Sequence, residues 1–413
     1  MSGIRNVEWM DDADLKEKMR SLVLQNFRRA EIVDFLERDF PQYAWSLPTL
    51  SRRLQHFGIR FINYDTTLSE VRGAFATQIN GPGQLLGYRA MHKQIREHHG
   101  LAVPRGLVYD VMSLDDPEGL EKRKTFGKQK RKRGPVGTFT SLGPNHTISA
   151  DGHDKLMGFM KDTFPLAVYG WQDVFSGCIL FLNIWVSNSN PKLIGRWYLD
   201  YLYKKKVISQ RLRLDKGSET GDFATIHSFL REKHSDCPED TVSYGPSTSN
   251  KIERWWRELH LRMEKYFKRQ LLILLEEGLY DPNNSKDRDL LAYVYVPVIS
   301  KELENFRCSW NTHRVRRQKD AQLPKGIPEH LYSFPEKYGA EECGLPVSAE
   351  QLDEVAELSG VMAFGNDYLD PATRVECERI IPDVDTVKPS DAKETYLFLK
   401  AHFVPNTSSS GIS

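Results

Sequence analysis

Three carboxylates, Asp151, Asp215 and Glu253, stand where the sequence pattern ends one element or begins the next. Asp151 follows the strand-like run HTISA, Asp215 follows RLRL, and Glu253 falls in the first turn of the long helical stretch that opens KIERWWREL. Acids at strand ends and helix starts can converge on one edge of a sheet however far apart they are in the chain. Moving a phosphoryl group between oxygens needs such a cluster, because two divalent ions about 3.5–4 Å apart must be held to activate the attacking oxygen and stabilise the leaving one. Oxygen ligands of this kind select Mg²⁺ or Mn²⁺. Each acid also has a local reading. Asp151-Gly152 is a hairpin-turn dipeptide, Asp215 before Lys-Gly is ordinary turn chemistry, and Glu253 suits the third position of a helix capped by Asn250.

The elements that must position these acids lie between 146 and about 320. HTISADGHDKL is a candidate strand with an acid at its end, PLAVYGWQDVFSGCILFLNIWVSN reads as two strands joined at a Ser-Gly turn, and the alternation in RLRLD predicts another. NPKLIGRWYLDYLYKKK and TGDFATIHSFLREKH are amphipathic helices, TVSYGPSTSN is a short strand and loop, and KIERWWRELHLRMEKYFKRQLLILLEEG is a long helix. Strands first, then alternation with helices, predict an α/β fold: a mixed sheet covered by helices.

Ahead of this segment the texture is helical. Ile32, Leu36, Leu50 and Leu54 mark two amphipathic helices, the second opened by Ser46 or Pro48 and closed by Gly58. Residues 1–65 therefore have the outline of a helix-turn-helix whose second helix presents Thr49, Ser51, Arg52, Arg53 and Gln55, types that suit phosphates and base edges. A helical hairpin with solvated arginines has the same outline. Residues 80–121 repeat the plan, with helices over Tyr88 to His98 and Arg105 to Met112, and with Arg89 and Lys93 as candidate DNA contacts. A basic linker, 122–140, carries Arg131, Lys132 and Arg133 and reads as a phosphate-tracking segment and a nuclear-import signal together.

At 413 residues the chain has room for two or three domains at about 150 residues each. The net charge of +1 hides a split: residues 1–150 hold 23 Lys and Arg against 17 Asp and Glu, whereas residues 340–413 hold 5 against 14. A basic front fits a polyanion partner, and the acidic region 321–413 is read as a small α+β appendage. The five isolated cysteines, without a CxxC pair, indicate neither a disulfide framework nor a zinc knuckle. The acidic N-terminus and the lack of any run of 18 apolar residues lead us to expect a soluble intracellular protein with no membrane partner.

The order DGHDKL, QDVFSGCIL, RLDKGSE, YGPSTSNKIERWWREL, WNTHRVR resembles the integrase catalytic core of the DDE transposase and retroviral integrase superfamily, most closely the eukaryotic integrase core domain-containing proteins. Asp151 and Asp215 are 64 positions apart and Asp215 and Glu253 are 38 apart, which fits the superfamily's D, D, about-35, E spacing. The resemblance spans roughly 85–317. It implies an RNase H-like core over 141–320, with Asp151, Asp215 and Glu253 as catalytic acids and ligands of a two-metal Mg²⁺ or Mn²⁺ site. It further implies phosphodiester hydrolysis followed by DNA strand transfer, double-stranded element ends and target DNA as partners, and a homo-oligomer; the basic run within 122–140 adds the expectation of work in the nucleus after cytoplasmic synthesis. Asn250, Lys251, Arg254 and Arg257 on the Glu253 helix, and His313, Arg314, Arg316 and Arg317 at the end of the core, would hold DNA, while Ile252, Trp256, Leu259 and Met263 pack inward. Thr220 and Gly177 depart from the residues common in related sequences, but neither removes an acid. A silent DNA-binding descendant and a structure-selective nuclease on the same fold are the competing expectations.

Overall fold

Apolar residues recurring at helical spacing build the front of the chain. In the computed structural model, which describes residues 8–126, 140–158, 162–215, 217–245, 251–315 and 323–404, two compact units form. The described residues of one fall within 1–134, 309–316 and 326–334, and those of the other within 135–308, 317–325 and 335–413.

In the first unit, α1 (Ala13–Leu24), α2 (Arg29–Asp39) and α3 (Leu47–His56) enclose Leu15, Met19, Ile32, Phe35, Leu36, Leu50 and Leu54. Ser46 opens α3 by accepting the Thr49 N–H at 3.2 Å, and Gly58, at φ +66°, follows its end, as the turn chemistry predicts. A second cluster joins α4 (Leu68–Ile79), α5 (Tyr88–His99), α6 (Arg105–Asp115) and α7 (Pro117–Phe126) through Val71, Phe75, Met91, Ile95, Val108, Met112 and Leu120. Here α5 and α6 are the two helices expected. The capping box of Thr67 and Glu70 starts α4, which supplies a further wall.

The second unit holds the sheet. β1 (Thr147–His153), β2 (Ala167–Asp173) and β3 (Ile179–Trp185) form an antiparallel meander, α8 (Pro191–Lys205) leads through β4 (Val207–Ile208) into β5 (Arg211–Leu214), and α9 (Gly221–Glu232) and α10 (Pro238–Thr241) precede β6 (Val242–Tyr244). The order β3-β2-β1-β5-β6, with β1, β5 and β6 parallel, is the mixed five-stranded sheet of an RNase H-like α/β fold. On one face Ile148, Ala150, Tyr169, Trp171, Leu212 and Leu214 pack against α8 and α9. Over β1 and β2 on the other lies α11 (Lys251–Leu259), which passes through the π-helical turn His260–Glu264 into α12 (Lys265–Glu276). The long helix is therefore present, with one bulge in it.

The chain continues in α13 (Ser285–Asn311), a helix that runs through Pro297, and α14 (Pro328–Ser333). Beyond it β7 (Leu345–Pro346) pairs with β4, and α15 (Ala349–Ser359), α16 (Pro371–Ile380) and α17 (Ala392–His402) follow. Val347, Leu352, Val355 and Val361 join the same hydrophobic cluster as α8 and α9, so the acidic C-terminal region is part of the core's apolar packing. Among the described residues no helix is long and apolar enough to cross a membrane.

His227 of α9 is wholly buried, with its Nδ1 2.7 Å from the Tyr198 hydroxyl. Burial, aided by the charge of Arg231, pushes its pKa down to about 3. The unfolded chain takes up this proton near 6.5 and the folded chain only near 3, so the contribution is complete above 6.5 and is lost as pH falls. At pH 5 the loss comes to about 2 kcal/mol at 1.36 kcal/mol per pH unit. Denaturant unfolding at pH 7 and pH 5 should show this difference, and His227→Gln should reduce it; an equal pH response in the variant would assign it elsewhere.

Candidate active site

A strand sends alternate side chains to opposite faces. With Ile148 and Ala150 of β1 committed to the core, Ser149, Asp151 and His153 must face α11. All three engage it. Ser149 Oγ accepts the Ile252 N–H at 3.2 Å, and Asp151 Oδ2 accepts Trp256 Nε1–H at 3.0 Å. His153 Nε2 lies 3.0 Å from Glu264 Oε2, and the His153 ring stacks on Trp256 with centroids 4.7 Å apart and planes inclined by 12°. Gly170 pairs with Asp151 across the sheet, and a Cβ there would lie 3.1 Å from Trp256 Cη2 and 3.0 Å from the Phe181 carbonyl oxygen. The missing side chain is what lets the indole lie against the strands.

The acids gather around this contact. Asp151 sits inside β1, two residues before its end, rather than at the end as the sequence suggested, whereas Asp215 directly follows β5. Ser149 pairs with Arg213 in the parallel β1–β5 ladder, and each acid lies two residues farther along its chain, at the same end of the two strands. Glu253 arrives on the first turn of α11 and hydrogen-bonds to Asp151. Burial, then the hydrogen bond and charge of Glu253, with a further contribution from Asp215, hold the Asp151 carboxyl well above the usual carboxylate range; the Trp256 N–H acts in the opposite direction. The Asp151 carboxyl is thereby held protonated against Glu253 at neutral pH. Asp215 Oδ1 is buried with no hydrogen-bond partner among the described residues.

Two carboxyl groups in contact beside a buried carboxylate oxygen without a hydrogen-bond partner among the described residues are a donor set suited to a hard divalent cation. Among the described residues no group of three or more His, Cys, Asp or Glu side chains already has metal-holding geometry. Asp151 and Glu253 are already in contact, and drawing them around an ion would require the Asp151 proton to leave.

The expected DNA contacts divide by exposure. Arg52, Arg89, Arg254 and Arg257 are exposed, and Ile252, Trp256, Leu259 and Met263 are buried as their spacing predicts. Arg53 is a correction: it is 6% exposed, and its guanidinium lies 4.2 Å from the Trp45 ring centroid and within 5.2 Å of those of Trp9 and Tyr43. Its helical position faces the core, so it stacks on aromatic rings instead of meeting phosphate. Lys251 is a second correction. Its ammonium donates to the Val174 carbonyl beside Gly177, and burial pushes its pKa down to about 8. Lys93 is taken up by Glu97 and Thr312, Arg314 by Glu31 at 2.6 Å, and His313 by the Trp310 carbonyl. Asn250, Arg131, Lys132, Arg133, Arg316 and Arg317 lie outside the described residues.

The departures from the family pattern have local causes. Gly177 takes φ +76° in the β2–β3 turn, a conformation that favours glycine. Asp173 builds that turn by accepting Ser176 N–H at 2.7 Å and the Asn145 N–H at 2.9 Å, and Thr220 donates to the Gly217 carbonyl at 2.8 Å. Sequence reasoning missed Ser149, His153, Gly170 and Glu264, and took Trp256 as core alone. The alternation Ser149, Asp151, His153 was the available signal.

With this geometry in view, comparison with family models matches residues 138–332 to the integrase core domain. That match supports the DDE transposase and retroviral integrase superfamily for this stretch. Comparison with curated proteins gives no match. The integrase core match begins at residue 138, after the helices α1 to α7.

The raised Asp151 carboxyl has a stability consequence. The unfolded chain loses this proton near 3.8 while the folded chain keeps it to a higher pH, so metal-free stability falls as pH rises from about 4 toward the raised value. An amide at this position donates to Glu253 and accepts from Trp256 without a proton to lose. Asp151→Asn should therefore melt higher than wild type at pH 8 in EDTA, by several degrees, in a thermal unfolding scan; a lower melting temperature would contradict a buried Asp151 carboxyl held protonated.

Proposed function

We propose that the protein is a metal-dependent DNA cutting and joining enzyme in which Asp151, Asp215 and Glu253 hold Mg²⁺ or Mn²⁺. The observation that carries this reading is the meeting of Asp151 and Glu253 beside Asp215 within an integrase core domain. Bound divalent ions supply Lewis acidity and a lowered pKa for water at the scissile phosphodiester.

The chain's own residues account for the remaining work. Asp151 gives up its proton to solvent, and the negative charge so created matches a dication in place of a proton. Asp215 contributes the Oδ1 that has no hydrogen-bond partner among the described residues. Arg254 and Arg257, exposed on the helix that carries Glu253, would meet the DNA phosphate backbone. Water attacks the phosphodiester first, and the freed 3′-hydroxyl then attacks a target strand, with no covalent bond to the protein. Such joining needs two DNA ends held together, which a homo-oligomer provides. In the front unit, Arg52 and Arg89 are exposed for phosphate contact, and the basic segment 122–140 fits DNA tracking and nuclear entry.

Purified protein with Mn²⁺ and supercoiled plasmid or short duplex ends should nick and join DNA, and Asp215→Asn should reduce both by at least a hundredfold. Cutting without joining would make the protein a nuclease on this fold, and DNA binding without cutting would make it a silent binder. Activity unchanged in Asp215→Asn would remove the assignment. Binding should weaken steeply with salt, with Arg254→Ala lowering the slope of log affinity against log salt by about one.

A further inference from the structure

α11 and its continuation place Glu253, Trp256, His260 and Glu264 at spacings of three, four and four, which is one face of a helix. β1 opposes that face with Asp151 and His153 at a spacing of two. The pairs interlock in order. Glu253 meets one side of the Asp151 carboxyl, while Trp256 donates to its Oδ2. Glu264 then holds His153, and His153 stacks on Trp256. Glu264 is fully buried, and its Oε2 is also 3.1 Å from His260 Nδ1. His260 and Glu264 bound the π-helical turn, where the extra residue per turn shifts the side chains that follow.

This continuous arrangement reaches back from a candidate ligand to a buried carboxylate one layer behind it. A tryptophan needed only to fill space would be indifferent to the direction of its N–H. Here the N–H points to one oxygen of the acid, the ring is clamped by a stacked imidazole, and residue 170 has no side chain to push the ring away. We propose that Trp256 is the positioning residue for Asp151: its indole N–H fixes the carboxylate rotation so that the remaining oxygen faces Glu253 and Asp215, with His153 and Glu264 clamping the ring. The inference rests on the metal-site reading above. Partners that orient a ligating group from behind typically change metal affinity 10–100-fold when removed.

Mn²⁺ titration calorimetry on the full chain tests this through binding alone. Trp256→Phe should weaken Mn²⁺ binding 10–100-fold relative to wild type, whereas Trp255→Phe, which removes the neighbouring buried indole, should bind Mn²⁺ as wild type does. Replacing Trp256 with 3-benzothienylalanine, which keeps the bicyclic shape and removes only the N–H, should reproduce the loss and serves where the Phe variant does not fold. Wild-type affinity in the benzothienyl protein, with binding lost in Asp151→Asn, would overturn the positioning role and leave the metal site standing. Equal Mn²⁺ affinity in wild type and Asp151→Asn would overturn the metal site itself.

Discussion

The site depends on the two-residue period of β1. Because Ile148 and Ala150 are needed by the core, Ser149, Asp151 and His153 are turned to the opposite face, and each finds a polar partner on one helix or its continuation. The three contacts set the axial position of α11 along the strand. A slip of α11 by one residue would break the Ser149 and Trp256 hydrogen bonds together and move Glu253 away from Asp151. The register that packs the core is thus also the register that assembles the acids.

Burying these acids opposes stability. A carboxyl removed from water and placed against another is held in its protonated form, and a carboxylate oxygen without a partner carries a desolvation cost that its surroundings do not repay. Aromatic packing offsets these terms on both faces of the sheet. Trp171 stacks on Phe181 at 3.9 Å between centroids on one side, and Trp256 stacks on His153 on the other. Buried acids that oppose stability are expected where stability has been given up for function.

Much of the core was legible in the sequence because its signals are local. The alternation of RLRL, the Ser-Gly turn before β3 and the amphipathic spacing of α9 each follow from short-range patterning, and the mixed sheet follows from their order. Asp151 was placed at a strand end because Asp-Gly is strong turn chemistry, but the β1–β2 ladder carries the strand through Gly152 to His153. Arg53 and Lys251 could not be placed from sequence, since a cation beside aromatic residues and a cation at a helix start look the same whether they face solvent or the interior. α13 was hidden by its own composition: the run AYVYVPVIS is β-branched, aromatic and interrupted by Pro297, yet long-range burial makes it helix. The Trp256 contact joins residues 105 positions apart, and no local pattern encodes it.

We propose that three acids distant in sequence, Asp151, Asp215 and Glu253, form one cation site. Crystals grown with Mn²⁺ and measured at the manganese absorption edge test this directly. Anomalous density bounded by carboxylate oxygens of Asp151, Asp215 and Glu253 is the expected result. Ordered Mn²⁺ elsewhere on the molecule, with Asp151 and Glu253 still in hydrogen-bond contact and no density between them and Asp215, would contradict it.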